Sequence, residues 1–552
     1  MSQAKRTELF AGLTVPSLGT LASRVLGMLR DMATAALLGL SSRGVMDAFV
    51  VAFRLPNLFR RLFGEGALTA AFLPVFVEAL RQDRRAAWKL ATVTVTLLAV
   101  VLVAIVLLLE AALAAIAWGW RLDADAALLV SLTSLMLPYV VLVCVAALLS
   151  GVLYGLNHFA APALAPAILN VGWLAAAWFV APRVTSDPSS RAHVLAVAIV
   201  LSGLLQVAVQ LPPLFRLGFH FDYDWPAARD RLSTIVRRML PMLFGLSVTQ
   251  LNAFLGSLIA WGLASPAGRG EPIRWLHAAV WYPLDQGAAA AIYCGERIFQ
   301  FPIGMLGMAV ATVIFARLSE HAARGKRSLV GRDLTLGLQL TTYLAVPATV
   351  GMILLAEPIA SLLFERGHVT PEDTLRVARV IECYAVGVLG ACALPVVIRG
   401  YYALAELVTP VRVAAWCVGL NLLLTLALLW PLAEAGLALA TSLVSTVQAA
   451  VLVAIFHARH VRLSGGRLAA SLARTCALTA GMAACGWLAR RAVEATLGRD
   501  AAWAIVPAVC MACGAFYLLA GWLAAAPEQR LLLGGRRGRR DGQMPLERQA
   551  EN

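Results

Sequence analysis

Long apolar stretches separated by short polar ones recur along the whole chain. A transmembrane helix needs about 20 mostly apolar residues to cross the hydrocarbon core of a bilayer. By that length the pattern predicts about fourteen spans and an all-α, polytopic membrane fold. The first apolar run is read as a span because it continues into further apolar sequence. The predicted spans lie at 12–40, 45–80, 87–118, 128–155, 160–181, 191–216, 238–263, 287–318, 333–365, 372–403, 409–431, 433–457, 467–493 and 500–525.

The longest polar interruptions indicate how the spans are grouped. The interruption GFHFDYDWPAARDRLSTIVRR is amphipathic and is predicted to connect two lobes of about six spans on the cytoplasmic side. Two such lobes around a central path are typical of many secondary transporters. We therefore predict an N-terminal lobe at 1–220, a C-terminal lobe at 221–458, two additional spans within 459–525 and a basic cytoplasmic tail at 526–552.

Composition agrees with a membrane location. The chain has 552 residues, of which 60% are hydrophobic and only 14% are charged, and its mean hydropathy is +0.78. A soluble domain keeps about a quarter of its residues charged. A soluble enzyme or binding domain is therefore excluded as the main body of the chain.

The net charge of +15 raises the question of a nucleic-acid partner. In membrane proteins, however, lysine and arginine concentrate in short cytoplasmic loops. Alternate loops of this chain carry that excess, so we expect both termini in the cytoplasm, no nucleic-acid partner, and a tail that sets topology or contacts lipid. The basic groups are Lys5 and Arg6; Arg81, Arg84, Arg85 and Lys89; Arg229, Arg231, Arg237 and Arg238; Arg324, Lys326, Arg327 and Arg332; and Arg459, Arg462 and Arg467.

Charged residues inside three predicted spans are the candidate chemistry. Each costs about 2.5 to 3.5 kcal/mol at the middle of a bilayer, so it needs a polar partner or an aqueous cavity. The first span reads SRVLGMLRDMATAALLGL and contains Arg24, Arg30 and Asp31. On a helix Arg24 and Asp31 share a face, whereas Arg30 lies about 120° from Arg24.

The second span carries a longer series of charges. Asp47, Arg54 and Arg61 follow one another at seven-residue spacing, Glu65 follows four residues later, and Arg60 lies beside them. On one α-helix this series would form a stripe about 27 Å long. Such a stripe cannot face lipid.

The eighth predicted span also contains charged residues, but fewer of them. Glu296 and Gln300 share a face at i, i+4, and Arg297 precedes a predicted kink at Phe301 and Pro302.

Two interpretations of these charges stay open. Arginines and acids could pair with one another and simply fix helix packing. Arginine outnumbers acid in the three spans, however, and its planar fork suits phosphate. The surplus favours an anionic ligand within the membrane, such as a phosphorylated lipid or an anionic solute.

Other function classes fit the residues less well. An exporter of cationic drugs should have an acidic cavity. A membrane enzyme acting on a lipid diphosphate would need clustered carboxylates for a metal or a histidine-based site, whereas the acids here are scattered. The chain contains no GxxxxGK[ST] loop for ATP. We expect a transporter rather than an enzyme, with no cofactor or metal, and coupling to a monovalent ion stays open.

Several stretches resemble one known family. SRVLGMLRDMATAALLG and MDAFVVAFRLPNLFRRLFGEGALTAAFLPVF resemble the N-terminal signature of the MurJ (MviN) family of bacterial lipid II flippases. GERIFQFPIGMLGMAVATVIFARLS, FERGHVTPEDTLRVARVIECYAVGVLG and RGYYALAELVTPVRVA extend the resemblance to the second lobe. The resemblance implies a fold of the multidrug/oligosaccharidyl-lipid/polysaccharide exporter superfamily, with two lobes around a cationic cavity.

The same resemblance implies a function and places residues in it. The protein would flip undecaprenyl-diphosphate-linked peptidoglycan precursor from the cytoplasmic to the periplasmic leaflet of the bacterial inner membrane by alternating access. Arg24, Arg30 and Arg297 match the family's diphosphate-binding arginines. Asp47, Arg60 and Glu65 match the family's conserved charges of the second span, which would shape the cavity or its gate, and Asp31, Arg54, Arg61 and Glu296 are further candidate cavity charges. From adjacency alone we expect that acids such as Asp31, Glu65 and Glu296 could take the arginines back as salt-bridge partners when the substrate leaves. The last two spans would hold the polyprenyl tail, and membrane lipids and other cell-wall synthesis proteins are expected partners. Export of another polyprenyl-linked glycan is the alternative.

The chain also departs from the family pattern. Glu296 stands where the family usually has aspartate, and FARLS lacks a proline at the end of the eighth span. The loop from Ala264 to Gly287 is longer than the resemblance implies. The seventh span, LSVTQLNAFLGSLIAWGL, contains no acid, so a sodium site known in some members does not carry over.

Overall fold

Helices make up nearly all of the computed structural model, which describes residues 23–41, 44–64, 67–265, 273–275 and 278–533. The beginning of the first predicted span, Glu65 and most of the basic tail lie outside the described residues. The first helix, α1, covers 23–38. The others are α2 (Val45–Phe59), α3 (Ala67–Gln82), α4 (Arg84–Gly119), α5 (Ala124–Met136), α6 (Pro138–Gly155), α7 (Ala160–Ala175), α8 (Ala181–Val184), α9 (Pro188–Ala208), α10 (Leu211–Arg216), α11 (Trp225–Gly262), α12 (Ala288–Pro302), α13 (Met308–Ala323), α14 (Arg327–Leu354), α15 (Ala356–Phe364), α16 (Pro371–Ala385), α17 (Val388–Ala403), α18 (Val408–Leu432), α19 (Glu434–Arg459), α20 (Gly465–Leu497), α21 (Ala502–Leu523) and α22 (Pro527–Leu533).

Within the described residues, 11 helical segments are long and apolar enough to cross a membrane, or up to 12 if the bent pair α16 and α17 forms one span. Each overlaps one of the predicted spans. The two remaining predictions fall on α1, whose described part covers 23–38, and on the second half of α11. The all-α polytopic fold is therefore confirmed, and the count of fourteen stays a prediction.

Aspartates define where several helices begin. Asp83, Asp123, Asp187 and Asp224 each immediately precede a helix, and each side chain accepts a hydrogen bond from a backbone N–H of the first turn. These N–H groups have no partner within the helix, so a capping carboxylate satisfies them and also lies favourably at the positive end of the helix dipole. The caps fix the starts of α4, α5, α9 and α11.

Three spans contain a π-helical turn among the residues that the structure describes, and the sequence pattern did not predict these turns. The turns lie at Arg60–Gly64, Ala176–Val180 and Ile303–Gly307. The third directly follows Pro302, at the position of the predicted kink. Proline clashes with the carbonyl of the preceding turn and donates no hydrogen bond, so helices commonly become irregular near it.

The described part of the long 264–286 loop contains a short β-hairpin. Strands β1 (Ile273–Trp275) and β2 (Ala278–Val280) pair antiparallel, with Ile273 opposite Val280. The sequence reading gave this loop no regular structure. The hairpin adds to the helical fold without changing its class.

The chain divides into two units. The first comprises residues 1–294 together with 364–373, and the second comprises 295–363 together with 374–552. The short segment joins the first unit because the backbone N–H of His368 donates to the carbonyl oxygen of Ala36 at 3.0 Å, and the hydroxyl of Ser41 bonds Asp373. The predicted division into lobes at about 220 rests on span counting and stays a prediction.

Each unit has its own apolar core. In the first, α3, α4, α6 and α11 meet around buried Phe72, Phe76 and Trp88. In the second, α17 packs closely on α19 because it carries small residues there: a Cβ at Gly387 or Gly390 would lie 2.5 Å from the Cα of Ser442 or Thr446. Small residues let membrane helices approach in this way.

Candidate substrate-binding site

Arg30, on α1, is buried and paired with its neighbour Asp31. Its Nη2 and Nε lie 2.7 Å and 3.0 Å from Oδ1 of Asp31, and the two side chains are only 8% and 4% exposed. Adjacent residues on a helix point about 100° apart, so the long arginine side chain must bend back to reach the acid. In this conformation Arg30 forms an internal ion pair, which is one of the two interpretations of the charged residues that the sequence left open.

Helix α7 supplies the surface on which Arg30 lies. The guanidinium carbon is 4.4 Å from the ring centroid of Trp173, and Nη1 donates to the side-chain oxygen of Asn170 at 3.1 Å. Trp173 is itself held in place, because its indole N–H donates to Thr34 at 3.0 Å and Phe49 contacts it edge to face. An arginine over a tryptophan gains a cation–π attraction that strengthens when water is excluded.

Tyr293, on α12, completes the group. Its hydroxyl donates to Oδ1 of Asp31 at 2.9 Å, and Nη2 of Arg30 lies 3.5 Å from the same hydroxyl oxygen. The cavity beside Asp31 and Trp173 has a volume of about 10 Å³. That is roughly the space of one water molecule. The cavity beside Asp31 is therefore too small for a diphosphate.

Asp47 has a different role from the one its place in a charged series suggests. It is 2% exposed, and its carboxylate accepts the backbone N–H groups of Gly287 at 2.6 Å and Ala290 at 2.7 Å. It therefore caps the N-terminus of α12 from a neighbouring helix. Asp47 thus stabilises a helix terminus, whereas the sequence analysis considered it only as a charge of the cavity or as a partner of arginine.

The predicted stripe on one α-helix is wrong beyond Phe59. Helix α2 ends there, and Arg60 and Arg61 lie in the π-helical turn, which changes the rotation per residue. Arg60 donates to the side chain of Asn57 at 2.8 Å and 3.1 Å, and Arg61 donates to Gln250 of α11 at 3.3 Å. Arg54 is half-buried on α2. Glu65 lies outside the described residues.

The other predicted residues lie as follows. Arg24 is exposed on α1. On α12, Glu296 accepts a hydrogen bond from Gln300 at 2.8 Å, as the i, i+4 spacing predicted, and Arg297 is half-buried. Arg24 and Arg30 belong to the first unit and Arg297 to the second, so the grouping of these three arginines into one diphosphate site stays a prediction.

Sequence reasoning missed Trp173, Asn170 and Tyr293. Aromatic residues in apolar spans are usually core, and nothing local connects positions 140 and 263 residues from Arg30 to it. Two signals were available in retrospect. Asn170 is a polar residue within a predicted span, and Tyr293 lies one turn before Glu296 on the same helix.

No group of three or more histidine, cysteine, aspartate or glutamate residues in the described parts of the chain could hold a metal ion. The expectation of no metal and no cofactor stays a prediction.

Two solved structures share the fold of this chain. One described as lipid II flippase MurJ in an inward-closed conformation has a TM-score of 0.71 at 18% identity and covers 93% of this chain and 100% of its own. An inward-facing MATE-family transporter of the MOP superfamily has a TM-score of 0.61 at 15% identity and covers 79% of this chain and 94% of its own. The fold class is therefore the one that these two membrane proteins share.

Sequence comparisons identify the family within that class. A family model described as "Lipid II flippase MurJ" matches residues 34–503. The probable lipid II flippase MurJ of Vibrio cholerae serotype O1 is 31% identical over 468 residues, covering 82% of this chain and 83% of its own. The lipid II flippase MurJ of Burkholderia cenocepacia is 32% identical over 420 residues, covering 74% and 75%. The chain belongs to the MurJ family, which consists of transporters rather than enzymes.

Proposed function

We propose that the protein flips lipid II from the cytoplasmic to the periplasmic leaflet of the bacterial inner membrane, with both termini in the cytoplasm. Membership of the MurJ family supports the substrate and the membrane. Loops rich in lysine and arginine alternate with loops poor in them, which supports cytoplasmic termini. The single observation that carries the chemistry is a buried arginine, Arg30, bound by an exchangeable carboxylate and stacked on Trp173.

The arrangement around Arg30 suits reversible binding of a diphosphate. A guanidinium can bond two oxygens of a phosphate as it bonds a carboxylate. When the diphosphate arrives, it replaces Asp31 as the anionic partner, while Trp173 and Asn170 keep the guanidinium in place. When the substrate leaves, Asp31 takes the arginine back, so the cation is never buried without an anion.

The two arginines of α1 act in order in this mechanism. Arg24 is exposed, whereas Arg30 is buried and paired with Asp31. Arg24 therefore meets the headgroup first, and Arg30 binds it after the group around Asp31 opens. Arg297 is the third diphosphate ligand in this proposal. The last two spans, α20 and α21, hold the polyprenyl tail, and cell-wall synthesis proteins accept the product.

Flipping of fluorescently labelled lipid II in vesicles tests the role of Arg30. We expect Arg30→Ala to lower the flipping rate at least about tenfold, since one charge-assisted bond to phosphate contributes about 1.5–3 kcal/mol. Arg30→Lys should recover only part of the rate because lysine keeps the charge but cannot form the planar fork. Arg183→Ala is the matched control, because Arg183 also lies over an aromatic ring, Phe179, but on the exposed surface of α8.

Depletion of the protein in cells tests the substrate. Lipid II should become trapped in the cytoplasmic leaflet. If lipid II stays accessible outside in a strain without a redundant flippase, and another polyprenyl-linked glycan accumulates inside instead, the protein is an exporter of that glycan.

A further inference from the structure

A groove lies on the first unit where α4 meets the first half of α11. Its volume is about 460 Å³. The walls are apolar at Leu97, Val236 and Leu240, and Arg229 and Arg237 lie along one side. An adjoining face of α11 packs into the core through Ala228 and Ile235, and Leu232 belongs both to that core and to the groove lining, so the groove lies on an anchored helix.

The depth of the groove can be estimated from α4. Exposed apolar side chains on this helix run from Val100 to Trp118, which is 94% exposed. Leu97 precedes Trp118 by 21 residues, or about 31 Å at 1.5 Å per residue. A bilayer's hydrocarbon core is about 30 Å thick, and tryptophan prefers its edges. Leu97 therefore lies at the opposite edge, at the level of the lipid headgroups.

Aromatic residues around the start of α11 support the same placement. Phe221, Tyr223 and Trp225 are 69%, 55% and 43% exposed, within five residues of one another. Aromatic side chains with one apolar and one polar end are enriched at the membrane–water interface. Together with the basic residues of α11 they form an interfacial amphipathic segment.

The charge of the groove is positive. Arg229 and Arg237 are eight residues apart on α11, hence on the same side of the helix and about 12 Å from each other. None of the described residues that line the groove is acidic. Arg229 lies 3.5 Å from the carboxylate of Asp230, but those side chains are 68% and 93% exposed, so that pair holds the arginine only weakly.

We propose that this groove binds an anionic phospholipid of the surrounding bilayer. The headgroup phosphate lies between Arg229 and Arg237, and an acyl chain follows Leu97 and Leu240 into the membrane. Basic pockets at the membrane surface bind anionic headgroups, and an apolar wall continuous with the hydrocarbon core selects a lipid over a free phosphate. The site is separate from the lipid II site, and its test requires no flipping.

Native mass spectrometry of the detergent-purified protein, titrated with phosphatidylglycerol or phosphatidylcholine, tests the proposal. We expect tighter binding of phosphatidylglycerol. Arg229→Gln and Arg237→Gln should each lower that affinity about fivefold, and the double variant about 25-fold. Arg238→Gln is the matched control, since Arg238 is equally charged and exposed on the same helix but does not line the groove. Its affinity should change less than twofold.

Three results would overturn the proposal. They are equal affinity for phosphatidylcholine, an unchanged phosphatidylglycerol affinity in the double variant, and an equal loss in Arg238→Gln, which would indicate attraction by overall charge. The melting temperature in neutral detergent should match the unmodified protein for all variants, because both arginines are exposed. Replacement of both by lysine should restore most of the affinity.

Discussion

Replacing Asp31 by asparagine tests whether Asp31 is the anion that exchanges with the substrate at Arg30. The variant keeps the size of the side chain and one oxygen that can accept a hydrogen bond. It removes the negative charge that Nε and Nη2 of Arg30 contact at 3.0 Å and 2.7 Å. Arg30 would then lose this charged contact and keep its contacts with Asn170 and Trp173.

The size of the effect follows from burial. Removing one member of a buried ion pair costs about 3–5 kcal/mol. The side chains of Arg30 and Asp31 are 8% and 4% exposed, so they form a buried ion pair. Asn170 and Trp173 remain, however, and the amide oxygen accepts a weaker hydrogen bond, so we take about 2 kcal/mol. This energy is the cost of freeing Arg30 for a ligand in the unmodified protein.

Two measurements have opposite expected outcomes. The affinity for lipid II should increase about 30-fold in Asp31→Asn, since 2 kcal/mol no longer opposes binding. The flipping rate in vesicles should fall, because the acid that displaces the diphosphate is missing. Purified protein titrated with lipid II gives the affinity, and labelled lipid II in vesicles gives the rate.

Asp373→Asn is the matched control. Asp373 is also buried in the first unit, at 2% exposed, but its carboxylate bonds the hydroxyl of Ser41 and the backbone N–H of Thr370. Its removal should lower stability and leave lipid II affinity within about twofold. Unchanged or weaker binding by Asp31→Asn would refute the exchange of Asp31 for the diphosphate.

Three further predictions concern stability. Asp47→Ala should lower the melting temperature and raise hydrogen exchange in the first turn of α12, because two buried N–H groups lose their acceptor at about 1–3 kcal/mol each; unchanged exchange there would contradict the capping role. Glu528→Ala should destabilise the second unit by about 3 kcal/mol in a thermal-shift assay, since the Glu528 side chain is 2% exposed and bonds Arg474 at 2.7 Å. The control Arg530→Ala, a change at an exposed position on α22, should leave the stability unchanged. The hydrogen bond from Lys89 holds the pKa of the Asp224 carboxyl below its usual range. This contact between α4 and the start of α11 should therefore persist down to about pH 4 and weaken only as the pH falls further, through the folded-state pKa. Hydrogen exchange at residues 222–228, compared with that of Asp224→Asn, measures the loss of the contact.

The spans could be predicted from sequence because their signal is local. A run of about 20 apolar residues has the same meaning wherever it occurs in the chain. The π-helical turns could not be predicted in this way. The turn at Ile303–Gly307 is marked by Pro302, but the one at Arg60–Gly64 begins four residues after Pro56, inside a segment whose seven-residue charge spacing indicates a regular helix.

The candidate site was predictable in its residue types and not in its pairing. The arginine surplus within the spans indicated an anionic ligand, which stays a prediction, whereas the structure pairs Arg30 with Asp31. Its partner could not be derived from helical faces, because those place Arg30 and Asp31 about 100° apart. What brings them together is the position of Trp173 and Asn170 on another helix, and such packing is not encoded in any local pattern.

Asp31 and Asp47 show how two buried acids on neighbouring helices can differ in function. Both carboxylates accept hydrogen bonds at 2.6–3.0 Å, Asp47 through both oxygens and Asp31 through Oδ1. Asp47 accepts from backbone N–H groups, whose positions are set by α12 itself, so the start of α2 and the start of α12 must move together. Asp31 accepts only side-chain donors in the bonds described above, and side chains can rotate to other partners without unfolding a helix. Conformational change during transport should therefore preserve the Asp47 cap and act at Asp31, where Arg30 can exchange one anion for another.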